Sequence, residues 1–331
     1  MPASGADRRT CKKLLWLTWE DHRRSRSLAR VLGAELHELA TTLGRPRLIR
    51  YALNVYDTAR ILARCRPETV ICQCPSFVLA VLLVLLRPVF GYRLGLDAHN
   101  GALAIEPDSP LLLRWLARWL QRRADFVIVH NDAVEALVRD REGTVFSLPD
   151  PLPSIAEVEP ADFPRPFNLL FVCTFKPDEP YLAVLEAARL IDPGIGIYVT
   201  GNPRGKVDPA NWPDNVVFCG RVPWERYDQL LRSVNGVIDL SNRDRCLVCG
   251  AYEAVAAGKP MILSRTPTLM DYFSRGAVFT DNDVSDSPHS IRQAILELRE
   301  RETELQAEVA ILKHELARDW NARLQSLLAL L

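Results

Sequence analysis

Short apolar segments alternate with longer amphipathic segments along most of the chain. In the first half, strands are predicted at 12–19, 35–39, 69–73, 93–97 and 126–129. Helices are predicted at 25–32 and 76–86, and a third runs from Pro110 to about Arg123. Strands that alternate with helical patterns of this length indicate βαβ units and a mostly parallel sheet.

A proline-rich stretch interrupts this alternation. It contains Pro149, Pro151, Pro153, Pro160, Pro164 and Pro166. This density of proline suits an extended linker between domains. Strands are predicted again at 169–173, 196–200, 216–218, 236–240, 260–263 and 277–279. The sequence therefore predicts an α/β protein with two doubly wound, Rossmann-like domains that face each other across a cleft, where ligands bind in such folds.

From about His289 the chain has the pattern of one long helix. Its apolar positions keep a 4-3 spacing that Glu302 breaks; they are Ile291, Ile295, Leu298, Leu305, Val309, Leu312 and Leu316. The pattern fits packing on the same chain, or a short coiled coil with a partner. We predict domains at 1–150 and 166–312, a linker at 151–165, and a helix at 313–331 that returns to the first domain.

The composition is that of an ordinary globular protein, with 331 residues, 48% hydrophobic and 25% charged. Disordered, collagen-like and disulfide-scaffold classes are excluded. The net charge is zero overall, but residues 1–153 hold 22 basic and 16 acidic residues, a net of +6, and the remainder carries −6. A basic half of this kind fits anionic lipid or phosphate better than it fits nucleic acid, so no nucleic-acid partner is expected.

The eight cysteines are scattered, and the short apolar segment Leu14–Leu17 does not form a secretory leader. Reduced thiols in a cytoplasmic protein are therefore expected. The pairs Cys72/Cys74 and Cys246/Cys249 lack a second pair of ligands at zinc spacing, so no metal is expected. The apolar run from Phe77 to Leu86 would span about 15 Å as a helix, which is half of a bilayer core.

The most specific chemistry lies in the second half. A polar loop from Asn242 leads into a helix that carries Glu253 and ends at Gly258. Backbone amides at the start of a helix, here at residues 248–250, can hold a diphosphate. A carboxylate one turn later is placed to accept hydrogen bonds from ribose hydroxyls. This arrangement indicates nucleotide binding, against the alternative of a plain helix–strand unit.

The segment Glu253-Ala254-Val255-Ala256-Ala257-Gly258-Lys259-Pro260 resembles the Glu-Ala-x-Ala-x-Gly-x-Pro segment of GT-B glycosyltransferases, near the bacterial family 4-like group. Residues 220–227 and 234–241 also resemble that family, and the similarity is strongest over 216–263. The resemblance implies a nucleotide-diphosphate sugar as donor, with Glu253 on its ribose, and no separate cofactor or metal. The implied donor-binding set is Glu253, Lys176, Thr174, Gly201, Arg221, Asn242, Arg243, Val248, Cys249 and Gly250.

Three departures from the family pattern bear on the mechanism. Retaining members carry a second Glu eight positions before Glu253, where this chain has Arg245. The usual Gly-Arg and Lys of the donor-phosphate site are altered over 173–178, and the glycine pair after the first strand is replaced by residues 19–22. These departures favour inversion over retention. They also motivate an alternative, a non-catalytic GT-B partner subunit whose donor site has decayed.

Asp97-Ala98-His99-Asn100 resembles the Asp-x-His-Asn segment of inverting mannosyltransferases that act on lipid-linked chitobiose. The resemblance predicts Asp97 as the general base, with His99 orienting the donor sugar or the base. Glu20 and His22 of the first loop are rival bases. A structural carboxylate that binds loop amides is the other interpretation of Asp97.

In the helix at 111–123, Arg114, Arg118 and Arg122 share a face beside Trp115 and Trp119. Such a helix can lie on an anionic membrane surface, or it can simply expose a solvated basic face. We therefore expect a cytoplasmic enzyme, peripheral on the inner face of the plasma membrane, that transfers sugar to a lipid-linked or glycan acceptor in polysaccharide or glycoconjugate biosynthesis. A two-domain binding protein of the periplasmic type and a sugar-nucleotide epimerase are less favoured alternatives.

Overall fold

The computed structural model describes residues 11–20, 23–39, 46–74, 76–105, 109–140, 144–282 and 287–331. The chain divides into two compact units. The first unit is Met1–Asp150 together with Ala322–Leu331, and the second is Pro151–Asn321. The last ten residues thus belong to the first unit, although the helix that carries them begins in the second.

The first unit contains a six-stranded sheet in the order β2-β1-β3-β4-β5-β6, with every pairing parallel. The strands are β1 (Leu14–Thr18), β2 (Glu35–Glu38), β3 (Thr69–Cys74), β4 (Arg93–Ala98), β5 (Phe126–Val129) and β6 (Val145–Ser147). The helices are α1 (Arg23–Val31), α2 (Arg47–Cys65), α3 (Phe77–Phe90), α4 (Asn100–Leu103), α5 (Leu111–Arg123) and α6 (Asp132–Arg139). All six residues of β3 are buried, as expected for a strand whose sheet is covered on both faces.

The second unit repeats the architecture with the order β12-β11-β10-β7-β8-β9, again all parallel. Its strands are β7 (Phe167–Phe171), β8 (Ile195–Thr200), β9 (Val216–Gly220), β10 (Gly236–Asp239), β11 (Met261–Ser264) and β12 (Ala277–Thr280). Its helices are α7 (Tyr181–Ala188), α8 (Trp224–Ser233), α9 (Cys249–Ala257), α10 (Pro267–Tyr272), α11 (Ser287–Glu300) and α12 (Glu302–Leu330). The prediction of two doubly wound parallel units is confirmed.

The apolar helix α3 is longer than the sequence analysis predicts. It continues through Arg87 and Pro88 to Phe90. A proline in the last turn removes only one amide from the helix, so the remaining residues can complete it. The helix ends at Gly91, whose φ of 73° lies in the left-handed region and whose amide donates to Arg87 O at 2.8 Å. Among the described residues, no helix has the length and apolar character to cross a membrane.

The proline-rich segment at 151–165 forms no helix or strand, but it is held against α8. The Ala156 amide donates to Asp228 Oδ2 at 2.9 Å, and the Ala161 amide donates to Ser233 Oγ at 2.7 Å. The side chains of Ile155 and Phe163 pack on the core of the second unit. The segment is therefore a packed part of that unit, which differs from the extended linker that its prolines suggest.

The single long helix predicted from His289 is two helices, α11 and α12, which meet at Arg301. Glu302, which breaks the apolar spacing, accepts a hydrogen bond from Asn235 Nδ2 at 2.9 Å. The apolar residues that flank this break, Leu298 and Leu305, are fully buried in the core of the second unit. Packing on the same chain therefore accounts for the pattern that also suggested a coiled coil.

One cysteine expectation is corrected by the structure. Cys11 and Cys65, which the sequence analysis expects to be reduced, are joined in a disulfide. The pair was missed because 54 residues separate its members, and spacing alone gave no sign that they meet. Among the described residues, the remaining cysteines form no disulfide: Cys72, Cys74, Cys173, Cys219, Cys246 and Cys249.

Candidate functional site

In the second unit, the strand order reverses between the neighbouring strands β7 and β10. In doubly wound sheets, ligands bind at such a switch point, outside the carboxyl ends of the strands. The loops that follow β7 and β10 span 172–180 and 240–248. The donor-binding residues predicted from the sequence lie after four strands and on α9. Thr174 and Lys176 follow β7, Gly201 follows β8, and Arg221 follows β9. Asn242, Arg243 and Val248 follow β10, and Cys249, Gly250 and Glu253 lie on α9.

Glu253 lies in the second turn of α9, and only 9% of its surface is exposed. The hydroxyl of Tyr227, on α8, donates a hydrogen bond to Glu253 Oε2. Burial, together with the Glu253 charge, raises the pKa of the Tyr227 hydroxyl, so that Tyr227 remains a donor at neutral pH. Tyr227 therefore orients the carboxylate, and it was missed because a tyrosine on an amphipathic helix resembles an ordinary core residue.

A hydrogen bond within the second unit holds the backbone at the start of α9. Asp239, the last residue of β10, accepts a hydrogen bond from the Gly250 amide at 2.7 Å. A Cβ atom at Gly250 would lie 2.5 Å from the same carboxylate oxygen, so the close approach requires glycine. Burial raises the pKa of Asp239 well above its usual value, against the effect of the Gly250 amide. The Gly250 amide, expected to face a diphosphate, is therefore engaged inside the protein.

The loop after β7 also binds an internal carboxylate. Glu179 accepts hydrogen bonds from the backbone amides of Thr174 at 2.8 Å and Lys176 at 3.2 Å, and from Thr174 Oγ1 at 2.5 Å. Phe175, between these two residues, has a φ of 58°. Successive amides around a left-handed residue form a concave anion site of the type that binds phosphate. Thr174 and Lys176 were predicted to bind the donor, whereas Glu179, which accepts from both of their amides, was not predicted.

Two further residues of the predicted donor-binding set, Gly201 and Arg221, lie just after strands. Gly201 follows β8 with a φ of 85°, and a Cβ atom there would lie 2.3 Å from Cys173 O. Glycine is therefore needed where the ends of β7 and β8 come close, and Gly201 positions the loop through its backbone. Arg221 follows β9 with its side chain exposed.

Contacts through Asp178 join the loops after β7 and β10. The Asn242 amide donates to Asp178 O at 2.7 Å, and Arg243 Nε lies 3.2 Å from Asp178 Oδ2. A cavity of about 410 Å³ lies beside these loops and is lined in part by Asn242 and Asn282. Asn282 donates to Asn242 Oδ1 at 2.9 Å and was not singled out from the sequence. The cavity is large enough for part of a small-molecule ligand.

A second group of candidate residues lies in the first unit, around the end of β4. Asp97 is 1% exposed, and both of its oxygens accept from Arg24 Nε, at 3.1 and 3.3 Å. Arg24 also contacts Asp150 Oδ1 at 2.5 Å and Leu148 O at 2.8 Å. Burial lowers the pKa of Arg24, but its two carboxylate partners outweigh burial and raise it overall. Asp97 is therefore an ion-pair partner with almost no surface on which to meet a substrate.

His99 is the more accessible member of this group. It precedes α4, its side chain is 29% exposed, and its Nε2 lies 3.8 Å from Asp97 Oδ2. The His130 ring is stacked on it with centroids 6.0 Å apart. Burial, with help from the Arg24 charge, lowers the pKa of His130 to about 4, so His130 is neutral at pH 7. The geometry favours His99 over Asp97 as a group that exchanges protons with a substrate.

The rival bases predicted for the first loop are Glu20 and His22. Glu20 lies two residues after the end of β1 and is exposed, and its amide donates to Thr18 Oγ1 at 3.1 Å. Strand β3 separates β1 from β4 in the sheet. His22 lies outside the described residues. Neither Arg24 nor His130 was predicted, because an arginine in a basic helix and a histidine after a strand carry no distinctive spacing.

A family model described as glycosyl transferase-like matches residues 181–329 of this chain. The match includes Glu253 and the loop before α9. No curated protein sequence matches the chain significantly. The match begins at the first residue of α7 and covers most of the second unit.

Solved structures with low sequence identity show the same fold over most of the chain. Anabaena HepE, determined in complex with UDP-glucose, has a TM-score of 0.74 at 14% identity, covering 97% of this chain and 100% of that chain. A glycosyltransferase from Rickettsia africae has a TM-score of 0.71 at 10% identity, covering 97% and 98%. Sucrose-phosphate synthase from Thermosynechococcus elongatus has a TM-score of 0.69 at 15% identity, covering 90% and 82%. The fold is therefore that of the GT-B glycosyltransferases.

Proposed function

We propose that this protein transfers a sugar from a nucleotide-diphosphate sugar to an acceptor hydroxyl. The observation that carries the proposal is the buried Glu253 carboxylate, oriented by Tyr227 beside the switch point of the second sheet. Carboxylates at this place in dinucleotide-binding folds accept hydrogen bonds from ribose hydroxyls. The glycosyl transferase-like match to residues 181–329 supports the same class of reaction.

Cationic side chains and backbone amides would bind the donor diphosphate, without a metal or a separate cofactor. Cationic side chains after the strand ends include Lys176, Arg221 and Arg243, of which Arg243 is paired with Asp178. Lys176 and Arg221 are exposed, so both can turn toward a ligand. Full loss of activity on chelation, reversed by a divalent ion, would overturn the metal-independent part of the proposal.

For the transfer step, we propose His99 as the general base. The acceptor oxygen attacks the anomeric carbon, the bond from that carbon to the phosphate oxygen breaks, and the nucleotide diphosphate leaves. His99 takes the hydroxyl proton, and the Asp97 carboxylate, 3.8 Å away, stabilises the resulting imidazolium. This arrangement assigns Asp97 a positioning role in place of the base role expected from its sequence motif. The product would have inverted configuration.

The acceptor would be a lipid-linked or glycan molecule at an anionic membrane surface. Helix α5 supports this proposal, because Leu111, Leu112 and Trp115 are 80%, 72% and 60% exposed. Arg118 and Arg122 are exposed on the same helix. The neighbouring helix α3 exposes Leu85 and Val89, at 64% and 73%. Apolar side chains flanked by arginines suit insertion at a lipid headgroup boundary.

The decisive experiment measures donor binding by calorimetry, with UDP-, GDP- and dTDP-sugars titrated in turn. One of these donors should bind, and Glu253→Ala should weaken its affinity by about 10–150-fold, the effect of losing a hydrogen bond to a charged group. Glu253→Gln should weaken it less, because the amide still accepts one hydrogen bond. Glu225→Ala, on the exposed first turn of α8, is the matched control. An unchanged dissociation constant in Glu253→Ala would refute the donor site.

A specific observation favours a second candidate, a non-catalytic GT-B partner subunit. The Glu179 carboxylate occupies the anion site after β7, where a donor phosphate would otherwise bind. If no nucleotide diphosphate or nucleotide sugar binds to the wild-type protein, the partner-subunit function is preferred and the transferase function is abandoned.

The base is tested separately, by turnover. His99→Ala should lower kcat by about 10²–10⁴-fold, the usual contribution of a positioned base, while donor affinity stays close to wild type. Asp97→Asn should lower kcat less and shift the pH profile of kcat, since it acts through His99. Wild-type turnover in His99→Ala would exclude this base. A product that keeps the donor's anomeric configuration would exclude inversion.

A further inference from the structure

A cluster of sulfur and carboxylate groups lies at the edge of the first sheet, outside the residues assigned to sugar transfer. Cys11 precedes β1, Glu35 begins the edge strand β2, and Cys65 is the last residue of α2. The two Sγ atoms and a carboxylate oxygen of Glu35 all lie within 4.8 Å of one another. Strands β1 and β3 separate β2 from the strand that carries Asp97.

The carboxylate of this cluster is held in place from two sides. The Lys12 amide donates to Glu35 Oε2 at 2.9 Å, and His37 Nε2 lies 3.1 Å from Glu35 Oε1. Glu35 and His37 are two residues apart on β2, so both side chains point to the same face. The side chains of Glu35 and His37 are 32% and 24% exposed, so the cluster is sheltered but reachable from solvent.

We propose that, when the two thiols are reduced, this cluster binds a zinc ion. Cysteine thiolate, carboxylate and imidazole are the side-chain ligands that zinc prefers. Cys11, Cys65 and Glu35 supply three ligands, and His37, whose Nε2 lies 3.1 Å from Glu35 Oε1, would supply the fourth. Two ligands bound at about 2.0 Å in a tetrahedron lie roughly 3.3 Å apart, close to the distance between Glu35 Oε1 and His37 Nε2. Two thiolates and one carboxylate together carry three negative charges, which exceed the two positive charges of the zinc ion.

Zinc binding and the disulfide exclude each other, because a sulfur in the bridge is not a thiolate. A phosphine reductant converts the bridge to two thiols: the phosphine supplies two electrons, and water supplies two protons and the oxygen of the phosphine oxide. Each thiol then releases its proton as it binds zinc. The other six described cysteines form no disulfide, which fits a protein that keeps its thiols reduced.

Bound zinc would have a structural consequence at this edge. It would tie the segment before β1 to the edge strand β2 and to the end of α2. Edge strands expose unpaired backbone groups, and covering them limits association with other chains. The ion would therefore replace the disulfide as the link that closes this edge under reducing conditions.

The test titrates the full chain with zinc alone after reduction by a phosphine, in competition with a chromogenic chelator. The reduced wild-type protein should bind one zinc ion per chain, and Cys11→Ser or Cys65→Ser should weaken binding by at least about 100-fold. Cys219→Ser, which changes a free, half-buried cysteine of the second unit, is the matched control and should bind as wild type. Cobalt in place of zinc should give thiolate absorption bands that both cysteine variants lose.

Because the cysteine variants also lose the disulfide and could unfold, Glu35→Gln and His37→Ala provide a second measurement. Both keep the disulfide intact in the oxidised protein, and each should weaken zinc binding by about 10–100-fold after reduction. If the reduced wild type binds no stoichiometric zinc, or if Glu35→Gln and Cys11→Ser bind as tightly as wild type, the cluster is a disulfide only and the proposal fails. Neither outcome bears on donor binding by the second unit.

Discussion

At the scale of single residues, Glu179 is the side chain that holds the loop after β7. Its carboxylate accepts hydrogen bonds from two backbone amides and one hydroxyl of the loop after β7. A donor phosphate that binds this loop has to displace a negative charge that is already hydrogen-bonded there. The acid therefore sets how strongly the loop attracts a second anion.

We predict that Glu179→Gln increases the affinity for a nucleotide diphosphate by about 5–20-fold. Removing the charge ends the repulsion between the carboxylate and the phosphate, and hydrogen bonds to charged groups contribute about 1.5–3 kcal/mol. Calorimetry measures the change, with Glu186→Gln on α7 as the control. A weaker affinity in Glu179→Gln would mean that the acid organises the loop for the donor and does not compete with it.

His130 gives the first unit a pH-dependent stability. Its pKa is lowered to about 4 in the folded protein, against 6.5 for an unperturbed histidine. Above pH 6.5 the imidazole is neutral in both states and contributes no pH dependence. As the pH falls from about 6.5 to about 4, the unfolded chain binds a proton that the folded chain excludes, and stability decreases.

We therefore predict that wild type loses about 1–3 kcal/mol more stability than His130→Gln between pH 7.5 and pH 4.5. Urea unfolding of both proteins at the two pH values measures the difference. His289→Gln, on α11 of the second unit, controls for loss of a histidine elsewhere. If wild type and His130→Gln lose the same free energy of unfolding between the two pH values, His130 is not held neutral by its surroundings.

At the scale of elements, the strands and helices could be predicted from the sequence more reliably than the side-chain contacts between them. Helix α5, Leu111–Arg123, lies within one residue of the limits predicted for it, since a proline directly precedes its first turn. Helix α2 was not assigned, although it spans 19 residues. The Glu253 helix could be located because its amino acids resemble a known segment. The roles of Arg24 and Glu179 could not be predicted, because their partners are set by tertiary contacts that local sequence patterns do not encode.

Helix α5 is the element whose exposed face most needs a test. Trp115 is 60% exposed, and Trp224 of the second unit is 66% exposed, which makes Trp224→Ser a matched control. We predict that Trp115→Ser weakens binding to phosphatidylglycerol vesicles by about 5–30-fold, from the apolar area that the ring buries in the interface. Trp224→Ser should leave binding unchanged in a vesicle sedimentation assay.

The basic residues of α5 should act through the lipid charge. Arg118→Gln combined with Arg122→Gln should weaken binding to the same vesicles by about 30-fold, at roughly 1 kcal/mol for each charge. Vesicles of phosphatidylcholine should bind little of either protein. Equal binding to the two lipids, or no loss in Trp115→Ser, would rule out α5 as a membrane contact.

At the scale of the whole molecule, the chain closes its first unit with its last residues. Leu324 and Leu327 are 6% and 0% exposed, and the segment that carries them belongs to the first unit. Arg93, at the start of β4, donates to Leu330 O at 2.8 Å, and Arg323 forms an ion pair with Asp132. The first unit therefore includes buried apolar side chains from a helix that follows the second unit in the sequence.

The adjacent residues Leu327 and Leu328 allow this closure to be tested with a matched pair, because Leu328 is 36% exposed. Leu327→Ala should destabilise the first unit by about 2–4 kcal/mol, the cost of a cavity at a fully buried leucine, and Leu328→Ala should cost less than about 1 kcal/mol. Because two units need not unfold together, the measurement has to be local. Hydrogen exchange should accelerate in β4 and β5 of Leu327→Ala and stay unchanged in β7 and β10. Acceleration in both units would mean that they unfold as one, and acceleration in neither would mean that the final turns of α12 contribute nothing to the first core.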